Sequence, residues 1–149
     1  MDLAPHMLVK ALRGAGECCE AMRIEDYSLI GDCRTGALVS TRGSIDWLCL
    51  PRFDSPACFA ALLGNQEHGC WEIRPRGEIR EVHRRYHGYS LILETEFTTT
   101  DGVVRLIDFM PTERSLPQVV RIVRGLRGRV PMQMLLTIRF DYGLLIPWV

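Results

Sequence analysis

Residues 24–63 read IEDYSLIGDCRTGALVSTRGSIDWLCLPRFDSPACFAALL. Two short runs in this stretch face each other across a tight turn. Gly36 to Ser40 has the pattern of a strand, with Ala37 and Val39 on one side. Thr41-Arg42-Gly43 turns the chain, and the glycine supplies a positive φ where a side chain would resist it. Ser44 to Leu50 returns, with Ile45, Trp47 and Cys49 alternating with Ser44, Asp46 and Leu48, the period-2 signal of a half-buried strand. The return strand ends at Pro51, opening a loop of Arg52, Phe53 and Asp54 closed by Ser55-Pro56. Each proline fixes its own φ and disfavours helix in the residue before it. Such a loop loses little entropy on ordering, which suits presenting polar groups to a ligand or partner.

Downstream, Ser55 and Pro56 have the chemistry of an N-cap and a first helical residue. Phe59, Leu62 and Leu63 then share a face, and Gly64-Asn65 would close a short helix. Cys70 to Arg74 predicts a strand stopped by Pro75. Glu81 to Tyr89 alternates weakly. In the next run Leu91, Leu93, Thr95 and Phe97 lie opposite Ile92, Glu94, Glu96 and Thr98. Asp101-Gly102 is a hairpin turn leading into Val103 to Phe109. Pro111 to Pro117 reads as a loop. Val119 to Leu126 and Met132 to Phe140 are two further strands joined across Gly128-Arg129. About eight strands, many linked by short turns, with one short helix, predict a mainly β protein built as an antiparallel β-sandwich. Residues 1–21 read as a loose leader, with Met22 as an alternative start, and 22–149 as one domain. The chain closes on Pro147-Trp148-Val149 without a polar tail, so the sandwich is expected to be truncated at its C-terminal end.

Composition excludes several classes. The chain has 149 residues and a formal net charge of zero, with 18 basic and 18 acidic side chains. A nucleic-acid partner would favour a basic excess, so none is expected. No apolar run approaches the ~20 residues that span a bilayer, so no membrane partner is expected either. The six cysteines, Cys18, Cys19, Cys33, Cys49, Cys58 and Cys70, form no CxxC pair. They are expected to be free thiols in a reducing cytoplasm; a zinc site from the last four lacks the usual paired spacing. No phosphate-cradling glycine motif is present, and no cofactor or metal is expected.

Candidate chemistry is sparse. Glu94 and Glu96 would project from one strand face about 7 Å apart, superficially a glycosidase pair, but such residues commonly form the solvated face of an antiparallel strand. His83 and His87 would be about 13 Å apart on a strand, too far for one metal. Cys33 has no histidine nearby in sequence to activate it. Asp46, Trp47, Arg52 and Asp54 are the better polar candidates. An aromatic face with a guanidinium and carboxylates suits sugar C–H faces and hydroxyls. The competing reading is structural, with Arg52 and Asp54 bracing the loop against Arg34, Asp32 or another domain.

Three segments carry a family resemblance: Gly31-Asp32-Cys33-Arg34-Thr35, Gly43-Ser44-Ile45-Asp46-Trp47-Leu48-Cys49-Leu50-Pro51 and Arg52-Phe53-Asp54-Ser55-Pro56. They closely resemble the N-terminal domain of glycoside hydrolase family 15 proteins of the glucoamylase and trehalase-like type. The likeness continues through Phe109-Met110-Pro111 to Arg139-Phe140-Asp141-Tyr142-Gly143 and Pro147-Trp148. It implies a large β-sandwich (supersandwich-like) that precedes a helical (α/α) barrel, with the catalytic glutamates in that barrel. It implies a non-catalytic role here, in an enzyme acting on an α-glucan or trehalose. No residue of this chain matches the family's catalytic motifs, so none is assigned as catalytic. Asp46, Trp47, Arg52 and Asp54 are expected to lie beside the substrate or between domains. The alternative is a stand-alone carbohydrate-binding or interaction module.

Overall fold

The structure is a computed structural model that describes residues 22–112 and 115–147. Among these are ten strands: β1 (Tyr27–Gly31), β2 (Gly36–Ser40), β3 (Ser44–Cys49), β4 (Ala57–Phe59), β5 (Cys70–Pro75), β6 (Ile79–Tyr86), β7 (Leu93–Thr99), β8 (Gly102–Phe109), β9 (Val120–Gly128) and β10 (Met132–Thr137). One sheet has the order β1-β2-β3-β5-β10, with β4 also paired to β3; the other has the order β6-β7-β8-β9. Every pairing is antiparallel. The antiparallel sandwich expected from the sequence is the observed fold.

The core lies between the sheets. Ile30, Val39, Ile45, Leu48 and Phe59 of the first sheet meet Leu93 and Met110. Ile73 meets Phe97, Val104 and Leu106 at the other end, and Trp71 packs against both clusters. Full burial of each large aliphatic or aromatic side chain contributes roughly 1.5–3 kcal/mol. Three side chains of the second sheet also bond to the backbone of the first. Arg84 donates to Val39 O at 3.1 Å and Asp26 O at 2.9 Å. The Tyr86 hydroxyl accepts from Leu29 N at 3.0 Å and donates to Leu29 O at 2.9 Å. It thereby occupies an edge of β1 that an open strand would leave available for aggregation. Arg121 is the third tether.

The turn at residues 41–43 and strand β2 fall where the sequence places them. The alternation in β3 does not survive, because Ser44, Ile45, Asp46, Leu48 and Cys49 are all buried and only Trp47 is partly open. The register slips between Leu38 and Val39, so Trp47 pairs with Leu38 while Ile45 pairs with Val39. The expected helix after Ser55 is replaced by β4 and two 3-10 turns, Ala61–Leu63 and Gln66–His68. Pairing of Ala57 with Cys49 and Phe59 with Leu48 buries all three residues of β4, which outweighs the local capping signal. Gly64 is extended rather than left-handed, and Asn65 caps the next turn. The Gly128-Arg129 turn joins β9 and β10 across the two sheets, since β10 pairs with β5. The leader at residues 1–21 and the terminal Trp148-Val149 lie outside the described residues.

Candidate functional site

The Pro51–Pro56 loop carries an ion pair of its own. Arg52 Nε lies 3.0 Å from Asp54 Oδ1 and Nη2 lies 3.2 Å from Oδ2. Both side chains are more than two-thirds exposed, at 71% and 72%. An exposed pair contributes about 0–1 kcal/mol, so its effect is on shape more than on stability. The link to Arg34 runs through backbone instead: Phe53 N donates to Arg34 O at 3.2 Å. Asp32 serves the adjacent turn, its Oδ1 accepting from Arg34 N and Thr35 N at 2.9 Å each. The structure therefore braces this loop against the Asp32–Thr35 turn without the side-chain bridge from Arg52 or Asp54.

Asp46 is buried on the outer side of the first sheet. The Tyr27 hydroxyl donates to its Oδ2 at 2.8 Å, and the Ser44 hydroxyl donates to its Oδ1 at 2.5 Å. With both oxygens held by hydroxyls, the carboxylate ties β1 to β3. It lines a depression of about 90 Å³ together with Tyr27, Ser40, Ser44 and Glu72. That is well below the roughly 300 Å³ at which small-molecule pockets begin. Glu72, also buried, accepts from Arg74 Nε at 2.8 Å. Trp47, Arg52 and Asp54 do not line this depression. Trp47 instead packs on Tyr142, ring centroids 5.9 Å apart and tilted by 35°. The four sequence candidates thus stand in three separate settings.

Glu94 and Glu96 lie on the outer side of the second sheet among arginines. Glu94 Oε2 is 2.8 Å from Arg85 and 3.7 Å from Arg105, and its Oε1 is 3.6 Å from His87 Nδ1. Arg105 Nη2 also donates to Glu96 at 3.0 Å. The Arg85 hydrogen bond, aided by the charge of Arg105, holds the Glu94 carboxyl below its ordinary value despite burial. A glycosidase acid needs the opposite shift, upward, so Glu94 is poorly tuned for that role.

Two charged residues that the sequence reading passed over are the most enclosed. Asp108 and Arg121 have fully buried side chains and pair at 2.8 Å. Arg121 also donates to Gly43 O at 2.7 Å and to Trp71 O, and its guanidinium stands 5.2 Å from the Trp71 ring centre. Burial pushes the Asp108 carboxyl up, and Arg121 pulls it back. A signal existed in the sequence: Asp108 continues the inward alternation of Val104 and Leu106, and Arg121 interrupts the apolar run from Val119 to Val123. Register places Asp108 opposite Arg121. The pair anchors the 41–43 turn to the second sheet and reaches no open cleft.

Fold and site together define a two-sheet β-sandwich whose carboxylates, among the described residues, are largely committed to internal bonds. The particular lineage follows from comparison with known sequences. The profile of the family described as trehalase-like, N-terminal, matches residues 13–146, and the chain belongs to that family. It is 39% identical over 119 residues to Trehalase 2 of Sulfolobus acidocaldarius, covering 80% of this chain and 19% of that protein. It is 35% identical over 138 residues to the trehalase of Mycolicibacterium smegmatis, covering 80% of this chain and 20% of that one. It is 33% identical over 128 residues to the trehalase of Thermoplasma volcanium, covering 81% and 20% respectively. The chain thus spans about a fifth of the length of these relatives. No solved structure gives a significant match.

Proposed function

We propose that this sandwich is the non-catalytic N-terminal domain of an α-glucosidic hydrolase, a scaffold for a separate helical-barrel catalytic domain. Trehalose is the favoured substrate of the intact enzyme, because the similar proteins are described as trehalases; an α-glucan is the second choice. The observation that carries the reading is the coverage: four-fifths of this chain aligns with only a fifth of each relative. The carboxylates support it. Asp46, Glu72, Glu94 and Asp108 are each bound to a hydroxyl or a guanidinium. The Pro51–Pro56 loop, with Arg52 and Asp54 exposed, is the segment we assign to the border with the catalytic domain. A cytoplasmic setting fits the free thiols of Cys33, Cys49 and Cys58. No helix among the described residues is long and apolar enough to cross a membrane. The test is to incubate the purified 149-residue chain with trehalose and with malto-oligosaccharides. No glucose should appear; release above a buffer control overturns the reading.

A further inference from the structure

Among the described residues the two open sheets end in four edge strands, β1, β10, β6 and β9. An edge that shows unpaired backbone groups is a template for another strand unless it is guarded. Three of the four are guarded. The Tyr86 hydroxyl takes the N–H and the C=O of Leu29 on β1. β6 carries exposed Arg80, Glu81 and Arg85, and β9 carries exposed Arg124 and Arg127, so another strand would approach through charge. β10 has neither device. Its sequence, Met-Gln-Met-Leu-Leu-Thr, contains no charge, and none of its residues is fully buried. Its backbone faces two ways. Pro131 O accepts from Arg76 N at 2.9 Å, and Arg139 N donates to Cys58 O at 3.2 Å, so the odd-numbered residues turn their backbone groups toward β5 and β4. Alternation turns those of Met132, Met134, Leu136 and Ile138 outward. Among the described residues, no backbone group bonds to them on that side. The chain itself covers this edge at one point, where Leu145 returns and exchanges hydrogen bonds of 2.9 and 3.0 Å with Phe140. That ladder goes no further, because Pro147 would stand opposite Ile138 and has no N–H to give. Ile138 O accepts from Arg139 Nη1 at 2.8 Å instead.

We infer that the free edge of β10 is a self-association site, which pairs with β10 of a second copy of this chain. Antiparallel pairing across a two-fold axis is closed and self-complementary, and it joins the first sheets of the two copies into one. Charge selects the occupant. From Met132 to Ile138 neither copy brings a charged side chain, so methionine and leucine meet methionine and leucine without like-charge opposition. The same pairing at β9 would set arginines against arginines. The side chains gain cover as well. Met132 and Met134 pack on the cluster of Ile73, Phe97, Val104 and Leu106 but stay partly open, and Leu136 and Ile138 are 46% and 38% exposed. A strand beside β10 shields them. A ladder this short buries less than the ~1,600 Å² of a standard stable interface, so the dimer is reversible and depends on concentration. The inference is independent of the enzyme reading.

The experiment is sedimentation velocity of the purified 149-residue chain over a wide concentration range, with backbone amide hydrogen exchange read by NMR at the two extremes. A monomer that passes into a dimer is expected. The amides of Met132, Met134, Leu136 and Ile138 should exchange freely when dilute and slow as concentration rises. Leu136→Lys places a charge on the edge, and Leu136→Pro removes one outward donor while sparing the odd-numbered bonds to β5. Each should weaken association at least about tenfold and leave the dilute chain folded. The exchange data need no variant, so they decide the outcome even where a substituted chain fails to fold. The inference is overturned by a monomer at every concentration, or by concentration-dependent protection that falls on β6, β9 or residues 51–56. Open-ended aggregates in place of a dimer overturn it too, as do outward amides already slow at high dilution or a dimer that both folded variants leave intact. None of these touches the scaffold reading, which glucose release by the chain decides.

Discussion

Replacing Arg121 with methionine should be among the most damaging single changes in this sandwich. The guanidinium and the Asp108 carboxylate are both fully buried, so removing one partner leaves the other charge without water or counter-ion. Breaking a buried pair in this way costs about 3–5 kcal/mol. The carbonyls of Gly43 and Trp71 lose a donor as well. These losses share one side chain and are not summed on top. A domain of this size has a total stability of about 5–15 kcal/mol, so roughly a fifth or more would be lost. Urea unfolding followed by tryptophan fluorescence reads it, because Trp71 lies under the guanidinium at 5.2 Å. The double variant Arg121→Met with Asp108→Leu should recover part of the loss, since apolar groups of similar volume often match a buried pair. Recovery stays incomplete because the two backbone carbonyls remain unserved. A cost below about 1 kcal/mol for Arg121→Met, or a double variant no better than the single one, would refute the reasoning.

Two further outcomes follow from the same geometry. Gly43→Ala should cost about 1–3 kcal/mol by denaturant unfolding, because Gly43 has φ 80° and a Cβ there would run into the Ile73 carbonyl oxygen; an unchanged midpoint would contradict this. Glu94 is held below its ordinary value of 4.5 in the folded state, first by Arg85. Its contribution is therefore present above that value and lost as pH falls through the lower folded one. Between neutral pH and about pH 3 the wild type should lose more stability than Glu94→Gln; parallel pH profiles would count against the Arg85 contact.

The hairpin of β2 and β3 was legible because a turn glycine and two strand-like runs act locally, within a dozen residues. Thr95 and Phe97 on the inner side of β7 were legible for the same reason. The helix expected after Ser55 failed because capping chemistry is weak beside the burial of Ala57 and Phe59 against β3, a contact set by tertiary packing. The passage from β9 to β10 failed because a short turn does not reveal whether the next strand stays in its sheet. Site residues were harder still. Asp46 was singled out for its neighbour Trp47, but its structural partners are Tyr27, 19 positions away, and Ser44. Arg121 finds Trp71 and Gly43 at separations of 50 and 78 residues, which no local pattern encodes.

The scaffold claim is met most directly by a domain exchange. The N-terminal segment of Sulfolobus acidocaldarius Trehalase 2 that aligns with this chain, 19% of that protein, would be removed or replaced by residues 1–149. Trehalose hydrolysis and thermal inactivation of the two products would then be compared. The account predicts that the chimera hydrolyses trehalose while the shortened enzyme is inactive or rapidly inactivated. A shortened enzyme as active and as durable as the chimera would contradict it.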